Sequence, residues 1–234
     1  MQPELQPNPA VYQAGAGGIA LEQQRVLRNT YLLLALSLIP TAIGAAVGTN
    51  LNLSFLRTSP ILSFFLILAV FYGWIFAIER NKNSSLGLVL LLGFTFFMGL
   101  LLGPLFQFVL GFKNGIQLVM MAAGGTAAVF FGLSGLAATT KRDFSFLSKF
   151  LFVGFFVIML SVIANVFFAS PLAHLVILAM FILFSSAAIL WQVNAIVRGG
   201  ETNYISATLT LYVSVYNLFT SLLQLFGLLG GDRD

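Results

Sequence analysis

The 234-residue sequence has no cysteine, one histidine and only seven acidic residues, and charged residues make up 8% of it. The lack of cysteine excludes disulfides, thiolate metal sites and cysteine nucleophiles. A soluble domain carries about 25% charged residues, so a chain with so few cannot cover a surface that faces water. Because 59% of the residues are hydrophobic, the composition indicates a polytopic membrane protein.

Seven apolar runs, each long enough to cross a bilayer as a helix, follow a polar N-terminal segment. We predict the seven spans at about 30–49, 60–78, 84–104, 115–138, 146–168, 171–192 and 204–229. Proline, glycine and charged residues separate the runs and indicate the ends of the helices. The predicted fold class is therefore an all-α polytopic membrane protein with seven transmembrane helices.

The first 24 residues differ from the rest of the chain. They contain three proline, three glycine and five glutamine residues and no apolar run, a composition that predicts a flexible tail. They also lack the basic start and hydrophobic core of a signal peptide. We therefore divide the chain into a tail, 1–24, and a seven-helix transmembrane domain, 25–234.

The basic residues of the loops predict the orientation in the membrane, because cytoplasmic loops are enriched in lysine and arginine. If the tail is cytoplasmic, three basic residues lie on the opposite side: Arg57, Lys113 and Arg233. Eight then share the side of the tail: Arg25, Arg28, Arg80, Lys82, Lys141, Arg142, Lys149 and Arg198. This predicts a cytoplasmic N-terminus and a periplasmic C-terminus. The basic residues do not cluster on one soluble face, so the lipid bilayer is an expected partner and nucleic acid is not.

The sequence does not favour an enzyme. None of the seven acidic residues falls within a predicted span, which argues against an aspartyl intramembrane protease. Ser134 lies near one end of the fourth span and His174 near the opposite end of the sixth. At 1.5 Å per residue these side chains are roughly 20 Å apart in depth, too far for a nucleophile and its base. A lone histidine is also a poor metal site, so we predict no catalytic residue, no metal and no cofactor.

The last span is the most polar of the seven. Six of its polar residues follow one another at steps of three or four and therefore trace one helix face: Ser206, Thr210, Ser214, Asn217, Ser221 and Gln224. A helix with such a stripe belongs inside the bundle rather than against lipid. The stripe is compatible both with a packing role and with a functional one.

The loop before the last span contains Arg198, Gly199, Gly200 and Glu201. The two glycines are a typical helix stop signal, and Thr202 or Asn203 can cap the helix that follows. A gate or a partner contact is the alternative role for this loop. Small residues in "GAAVG" (44–48) and "GLLLG" (99–103) predict close contacts between helices, within the bundle or between two copies of the chain.

Four stretches carry a family resemblance: "RVLRNTY" (25–31), "GGTAAVFFGLS" (124–134), "TTKRDFSFL" (139–147) and "AILWQVNAIVRGGETNYISATLTLYVSVYNLFTSLLQLFG" (188–227). They resemble the transmembrane Bax inhibitor motif family, and within it the YccA-like bacterial branch. The resemblance covers about residues 25–234 and implies that the last helix is central. Some relatives have two facing aspartates that form a pH-responsive latch. The matching positions here are Gln192 and Ser214, so the resemblance implies a neutral hydrogen-bonding contact at a degenerate latch.

The same resemblance implies a function and a location. The YccA-like branch binds the membrane-anchored AAA+ protease FtsH, with its membrane-bound regulators as further possible partners, and restrains its proteolysis. The chain is then a regulator in the bacterial inner membrane that is engaged through its cytoplasmic tail. The alternative implied by the family is a calcium or proton leak channel with a sensor that no longer titrates.

Overall fold

The computed structural model describes residues 9–51, 59–140 and 142–232, and it describes side chains from residue 21 onward, residue 60 excepted. All regular secondary structure in these ranges is helical. The helices are α1 (Pro9–Gly48), α2 (Pro60–Arg80), α3 (Ser85–Leu110), α4 (Gly115–Thr139), α5 (Phe146–Phe168), α6 (Pro171–Val197) and α7 (Tyr204–Gly230). Residues 1–8 of the predicted tail, together with Arg57, Lys141 and Arg233, lie outside the described residues.

Each of the seven helices is long and apolar enough to cross a membrane, and in α1 the membrane-length part is Leu21–Gly48. This confirms the predicted class, an all-α protein with seven spans. The helix α1 begins at Pro9, well before the predicted start at residue 30. Residues 9–24 of the predicted tail are therefore helical. The flexibility of residues 1–24 and the orientation of the termini stay predictions.

Two predicted boundaries are wrong. The predicted break at Gly103 and Pro104 lies inside α3, which continues to Leu110. Proline removes one N–H donor and so frees the carbonyl four residues earlier, that of Leu100. In this fold Gly48 of α1 packs directly on that carbonyl, so the interruption is covered by a neighbouring helix. Glu79, expected in a loop, lies instead in the last turn of α2.

The last helix lies at the centre of the bundle. It contacts α1, α2, α3, α4 and α6, whereas α5 packs mainly on α6 at the periphery. The exposed phenylalanines of α5, such as Phe150 at 64% and Phe152 at 67%, face outward where the bilayer would lie. The central position expected for the last helix is therefore confirmed.

The helices α1 and α3 approach each other through glycines. A Cβ atom at Gly44 would collide with the carbonyl oxygen of Phe96, and one at Gly99 would collide with that of Thr41. Gly103 packs in the same way on the backbone of Gly48. Backbone contact of this kind is a main source of packing energy inside a membrane. The small residues singled out in the sequence thus pack within one chain.

Candidate functional site

The predicted polar stripe lies on a helix that other helices largely surround. From Ile205 to Gly227, no residue of α7 is classed as exposed. Ser206, Ser214 and Ser221 of the stripe are buried, whereas Thr210, Asn217 and Gln224 are partly buried. The stripe therefore does not mark a single inward face of α7, because residues on the other faces of this helix are buried or partly buried as well.

Most hydrogen bonds from α7 to its neighbouring helices within the membrane come from a different face. Thr208, Tyr212 and Tyr216 follow one another at four-residue steps and lie above one another on the helix. Thr208 Oγ1 lies 3.3 Å from the Thr30 carbonyl oxygen of α1. The Tyr216 hydroxyl donates to the Met98 carbonyl of α3 at 3.1 Å. This row joins the central helix to both α1 and α3.

Tyr212 is the centre of this row and is 1% exposed. Its hydroxyl lies 2.8 Å from Oγ1 of Thr41 in α1 and 3.2 Å from the Thr95 carbonyl oxygen of α3. Thr41 Oγ1 lies 3.1 Å from the same carbonyl, so three helices share one hydrogen-bonded cluster. Hydrogen bonds between membrane helices average about 0.6 kcal/mol and reach about 1.7 kcal/mol. The cluster fixes the rotation of α7 relative to α1 and α3.

The degenerate latch positions are both buried, Gln192 at 2% and Ser214 at 6%. Ser214 Oγ donates to the Thr210 carbonyl of its own helix at 2.8 Å. The Nε2 atom of Gln192 has no hydrogen-bond partner in the described part of the chain. The hydrogen bond expected between these two side chains is not formed there. Neither side chain titrates, so this pair cannot act as a proton sensor.

Asn203 organises the end of the bundle that holds the α2–α3, α4–α5 and α6–α7 loops, here called the basic end. Its Oδ1 atom accepts from the amides of Ile205 and Ser206 and so caps α7, as predicted for this position or for Thr202. Its Nδ2 atom donates to the Lys82 carbonyl at 3.1 Å and to Asn83 Oδ1 at 2.8 Å. One side chain therefore begins α7 and holds the α2–α3 turn against it.

A second link at the basic end uses Glu79. Its Oε2 atom accepts from Ser206 Oγ at 3.0 Å and pairs with Lys82 Nζ at 3.1 Å. Both partners of the ion pair are more than a third exposed, so the pair itself contributes little. The position of Glu79 matters more, because its bond to Ser206 joins the last turn of α2 to the first turn of α7.

The loop residues Arg198, Gly199, Gly200 and Glu201 form the predicted helix stop. Gly199 has a φ of +76°, a backbone conformation that favours glycine, and its amide donates to Ile196 while that of Gly200 donates to Ala195. These two bonds satisfy carbonyls that the end of α6 would leave unpaired. Glu201 Oε1 accepts from the Asn203 amide at 2.8 Å and so positions the cap.

Asn194 holds the α4–α5 loop in place. This buried side chain of α6 donates from Nδ2 to the Arg142 carbonyl and accepts at Oδ1 from the Phe144 amide. Nearby, the Ser145 amide donates to Asp143, and this bond is the main reason that the pKa of Asp143 lies below its ordinary value. The Ser145 side chain and the charge of Arg198 lower that pKa further.

No group of three or more His, Cys, Asp or Glu side chains converges among the described residues. Ser134 lies in the last two turns of α4 and His174 in the first turn of α6, and these helix ends are on opposite sides of the bundle. The described geometry offers no nucleophile and base in contact. The arrangement is that of a neutral, hydrogen-bonded bundle with a network of loops at its basic end.

The sequence pattern did not identify Tyr212, Asn194 or Glu79 as important. Apart from Lys82, which pairs with Glu79, their partners are 50 or more residues away in the chain, and periodicity detects only neighbours on one helix. The four-residue spacing of Thr208, Tyr212 and Tyr216 was a visible signal, since hydroxyls repeated on one face of a buried helix need partners.

The family described as "Inhibitor of apoptosis-promoting Bax1" matches residues 23–231 of this chain. A protein of Pseudomonas aeruginosa is 48% identical over 217 residues, which cover 91% of this chain and 95% of the relative. A protein of Escherichia coli K12 named "Modulator of FtsH protease YccA" is 43% identical over 212 residues, 91% of this chain and 94% of the relative. A relative from another Escherichia coli strain, also 43% identical with the same coverage, is named "Inner membrane protein YccA".

Proposed function

The chain belongs to the Bax inhibitor family, and on that premise we propose that it binds the membrane-anchored AAA+ protease FtsH and modulates its proteolysis. It is a multi-pass inner membrane protein with seven membrane-length helices. The observation that carries the proposal is the 43% identity to the Escherichia coli modulator of FtsH protease, which extends over 91% of this chain.

The proposed point of engagement is the N-terminal tail. The distribution of basic residues favours a cytoplasmic N-terminus, which would bring the tail to the side on which the protease acts. An AAA+ protease pulls its substrates by a flexible end. Since residues 9–24 of the tail already belong to α1, a pull on the tail acts along the axis of that helix.

The contacts of α1 would resist such a pull. Gly44, Gly48, Gly99 and Gly103 place the backbones of α1 and α3 in direct contact over about two turns of each helix. Thr41 also shares the hydrogen-bonded cluster of α3 and α7. Extraction of α1 must break all of these contacts together. The protease is then occupied by a substrate that it releases or degrades slowly, and other substrates are spared.

Deletion of residues 2–20 tests this mechanism. We expect the deleted protein to lose both its co-purification with FtsH from native membranes and its effect on the turnover of other substrates. A variant with residues 2–20 replaced by a glycine- and serine-rich segment of equal length separates the need for a flexible end from a need for this particular sequence. If the deletion leaves co-purification and turnover unchanged while the bundle stays folded, the tail mechanism is wrong.

A leak channel of the Bax inhibitor type is the second candidate. The observation that favours it is the buried Gln192, whose Nε2 atom has no partner among the described residues and would donate to a water molecule that accompanies an ion. Calcium and proton flux through purified protein in liposomes distinguishes the two functions. A flux that changes with Ser214→Asp or Asn217→Ala favours the channel, and the absence of flux favours the modulator.

A further inference from the structure

A long cleft lies in the side of the bundle, within the part that the membrane would surround. Its walls are α1 and α4, its floor is α7, and the end of α3 closes one end of it. Its volume is about 840 Å³. Several residues that line it, among them Ala42, Ala46, Ala127 and Phe131, are exposed. The cleft therefore opens sideways, toward the bilayer.

Small side chains create this cleft. Alanines line the wall of α1 and the facing wall of α4, where larger apolar residues would fill the gap: Ala35, Ala42, Ala45, Ala46, Ala123 and Ala127. Along α1 the lining extends from Tyr31 to Thr49. At 1.5 Å per residue this is about 27 Å, close to the roughly 30 Å thickness of the hydrocarbon core.

The chemistry of the lining fits an apolar occupant. Among the described residues that line the cleft, none is charged. The hydroxyls of Thr41, Thr49, Thr126, Tyr212 and Tyr216 already lie within hydrogen-bond distance of protein partners. These hydroxyls do not depend on a ligand for a hydrogen bond. A polar ligand would gain few hydrogen bonds from them, because a hydroxyl has a single proton to donate.

The position of the cleft favours one apolar occupant. It follows α1 for about 27 Å and opens along its side to the hydrocarbon core, so acyl chains are the first apolar groups to reach it. A flexible, unbranched hydrocarbon chain can follow a groove of this length. A helix of a partner protein or of a second copy, about 10 Å across, is the other occupant, and the labelling below distinguishes the two.

We propose that this cleft binds lipid acyl chains, which enter from the bilayer between α1 and α4 and lie against Tyr216 and Phe219 of the central helix. The bound chains fill space that protein side chains leave empty, and so complete the packing of α7. This site is separate from the tail and the basic end, and it does not depend on the proposed modulation of FtsH.

Photochemical labelling of the unaltered chain tests the proposal. The protein is placed in vesicles of phosphatidylethanolamine and phosphatidylglycerol in which one acyl chain carries a diazirine. It is then purified in mild detergent, washed and illuminated, so that only retained lipid reacts. We expect the adducts to map to the cleft, on residues such as Ala42, Ala127 and Phe131. Adducts spread equally over the outer face of α5, or cross-links to a second protein chain, would overturn the proposal.

Two neighbouring residues of α4 provide matched variants. Ala127 lines the cleft, whereas Ala128 is also exposed but does not line it. Ala127→Trp fills the cleft and should reduce the retained label roughly tenfold, while Ala128→Trp should leave it unchanged. Equal labelling of the two variants, at matched thermal stability, would contradict the proposal. If Ala127→Trp fails to fold, the adduct map of the unaltered chain decides.

Discussion

The hydroxyl of Tyr212 in α7 lies 2.8 Å from Oγ1 of Thr41 in α1, with the Thr95 carbonyl of α3 within 3.2 Å. The first helix of the chain, which follows the tail, is thus joined directly to the helix at the centre of the bundle. Any force or ligand that displaces α1 must either break this contact or move α7. A substitution at Tyr212 therefore measures how much this contact contributes to the proposed resistance to extraction.

Removal of the Tyr212 hydroxyl should weaken the bundle without emptying its core. Tyr212→Phe keeps the ring and loses hydrogen bonds to two helices, so the free energy of unfolding should fall by about 0.6–1.7 kcal/mol. The free energy of unfolding is measured in mixed micelles that contain increasing amounts of a denaturing detergent. Tyr72→Phe is the control, because that side chain is 39% exposed on α2. Equal stability of the two variants would show that the cluster contributes nothing.

The contact between α1 and α3 should be intolerant of a single methyl group. Gly99→Ala places a Cβ atom against the Thr41 carbonyl and should lower the free energy of unfolding by about 1–3 kcal/mol. In Gly124→Ala the added Cβ meets nothing within 4 Å, and the change should be neutral or slightly stabilising. The same unfolding assay compares the two. If both variants behave alike, the close approach of these helices is not as described.

The cap of α7 should control the order of two loops at once. Asn203→Ala removes the acceptor for the Ile205 and Ser206 amides, at a cost of about 0.5–2 kcal/mol. It also releases the α2–α3 turn at Lys82. Hydrogen exchange followed by mass spectrometry should show faster exchange at both loops. The control is Thr202→Ala, at an exposed neighbour, which should leave hydrogen exchange at both loops unchanged. If Asn203→Ala speeds exchange only in α7, the two loops are not linked through this side chain.

Acid should act on the α4–α5 loop only well below neutral pH. The pKa of Asp143 is lowered mainly by the Ser145 amide, so the folded carboxylate binds a proton less readily than the unfolded one. Its contribution to loop order is present above the ordinary value of 3.8 and is lost as the pH falls through the lower, folded value. An NMR titration of the Ser145 amide should therefore be flat near neutrality. Asp143→Asn should abolish the acid step, and a transition near neutral pH would contradict this reading.

The latch positions should be insensitive to pH. Gln192 and Ser214 are buried and do not titrate, so ion flux in liposomes, if any occurs, should not change between about pH 6 and 8. A double variant with Gln192→Asp and Ser214→Asp introduces two nearby acids whose ionisation is opposed by burial and by each other. A pH response in that variant alone is the expected outcome. Strong pH dependence in the unaltered chain would mean that another group acts as sensor.

The sequence predicted the parts of the fold that depend on one segment at a time. Seven apolar runs indicate seven helices, and the Gly199–Gly200 stop and Asn203 cap follow from local backbone chemistry. The boundary at Pro104 was wrong because the effect of a proline depends on what packs against the freed carbonyl. That neighbour, Gly48, is more than 50 residues away in the chain.

The site was harder to predict for the same reason. The stripe from Ser206 to Gln224 correctly indicated an interior helix, but its periodicity could not show that residues on the other faces of α7 are buried or partly buried too. The partners of Tyr212, Asn194 and Glu79 come from other helices or loops and are known only once the bundle is assembled. The cleft between α1 and α4 is likewise a property of two packed surfaces and not of either helix alone.

A proteolysis assay in a defined membrane tests the modulation of FtsH itself. FtsH and this protein are reconstituted together in liposomes with ATP and a second membrane-protein substrate, whose loss is followed over time. The full chain should slow this loss in proportion to its amount, and the chain without residues 2–20 should not. An unchanged rate of substrate loss with the full, folded chain present would contradict the proposed modulation.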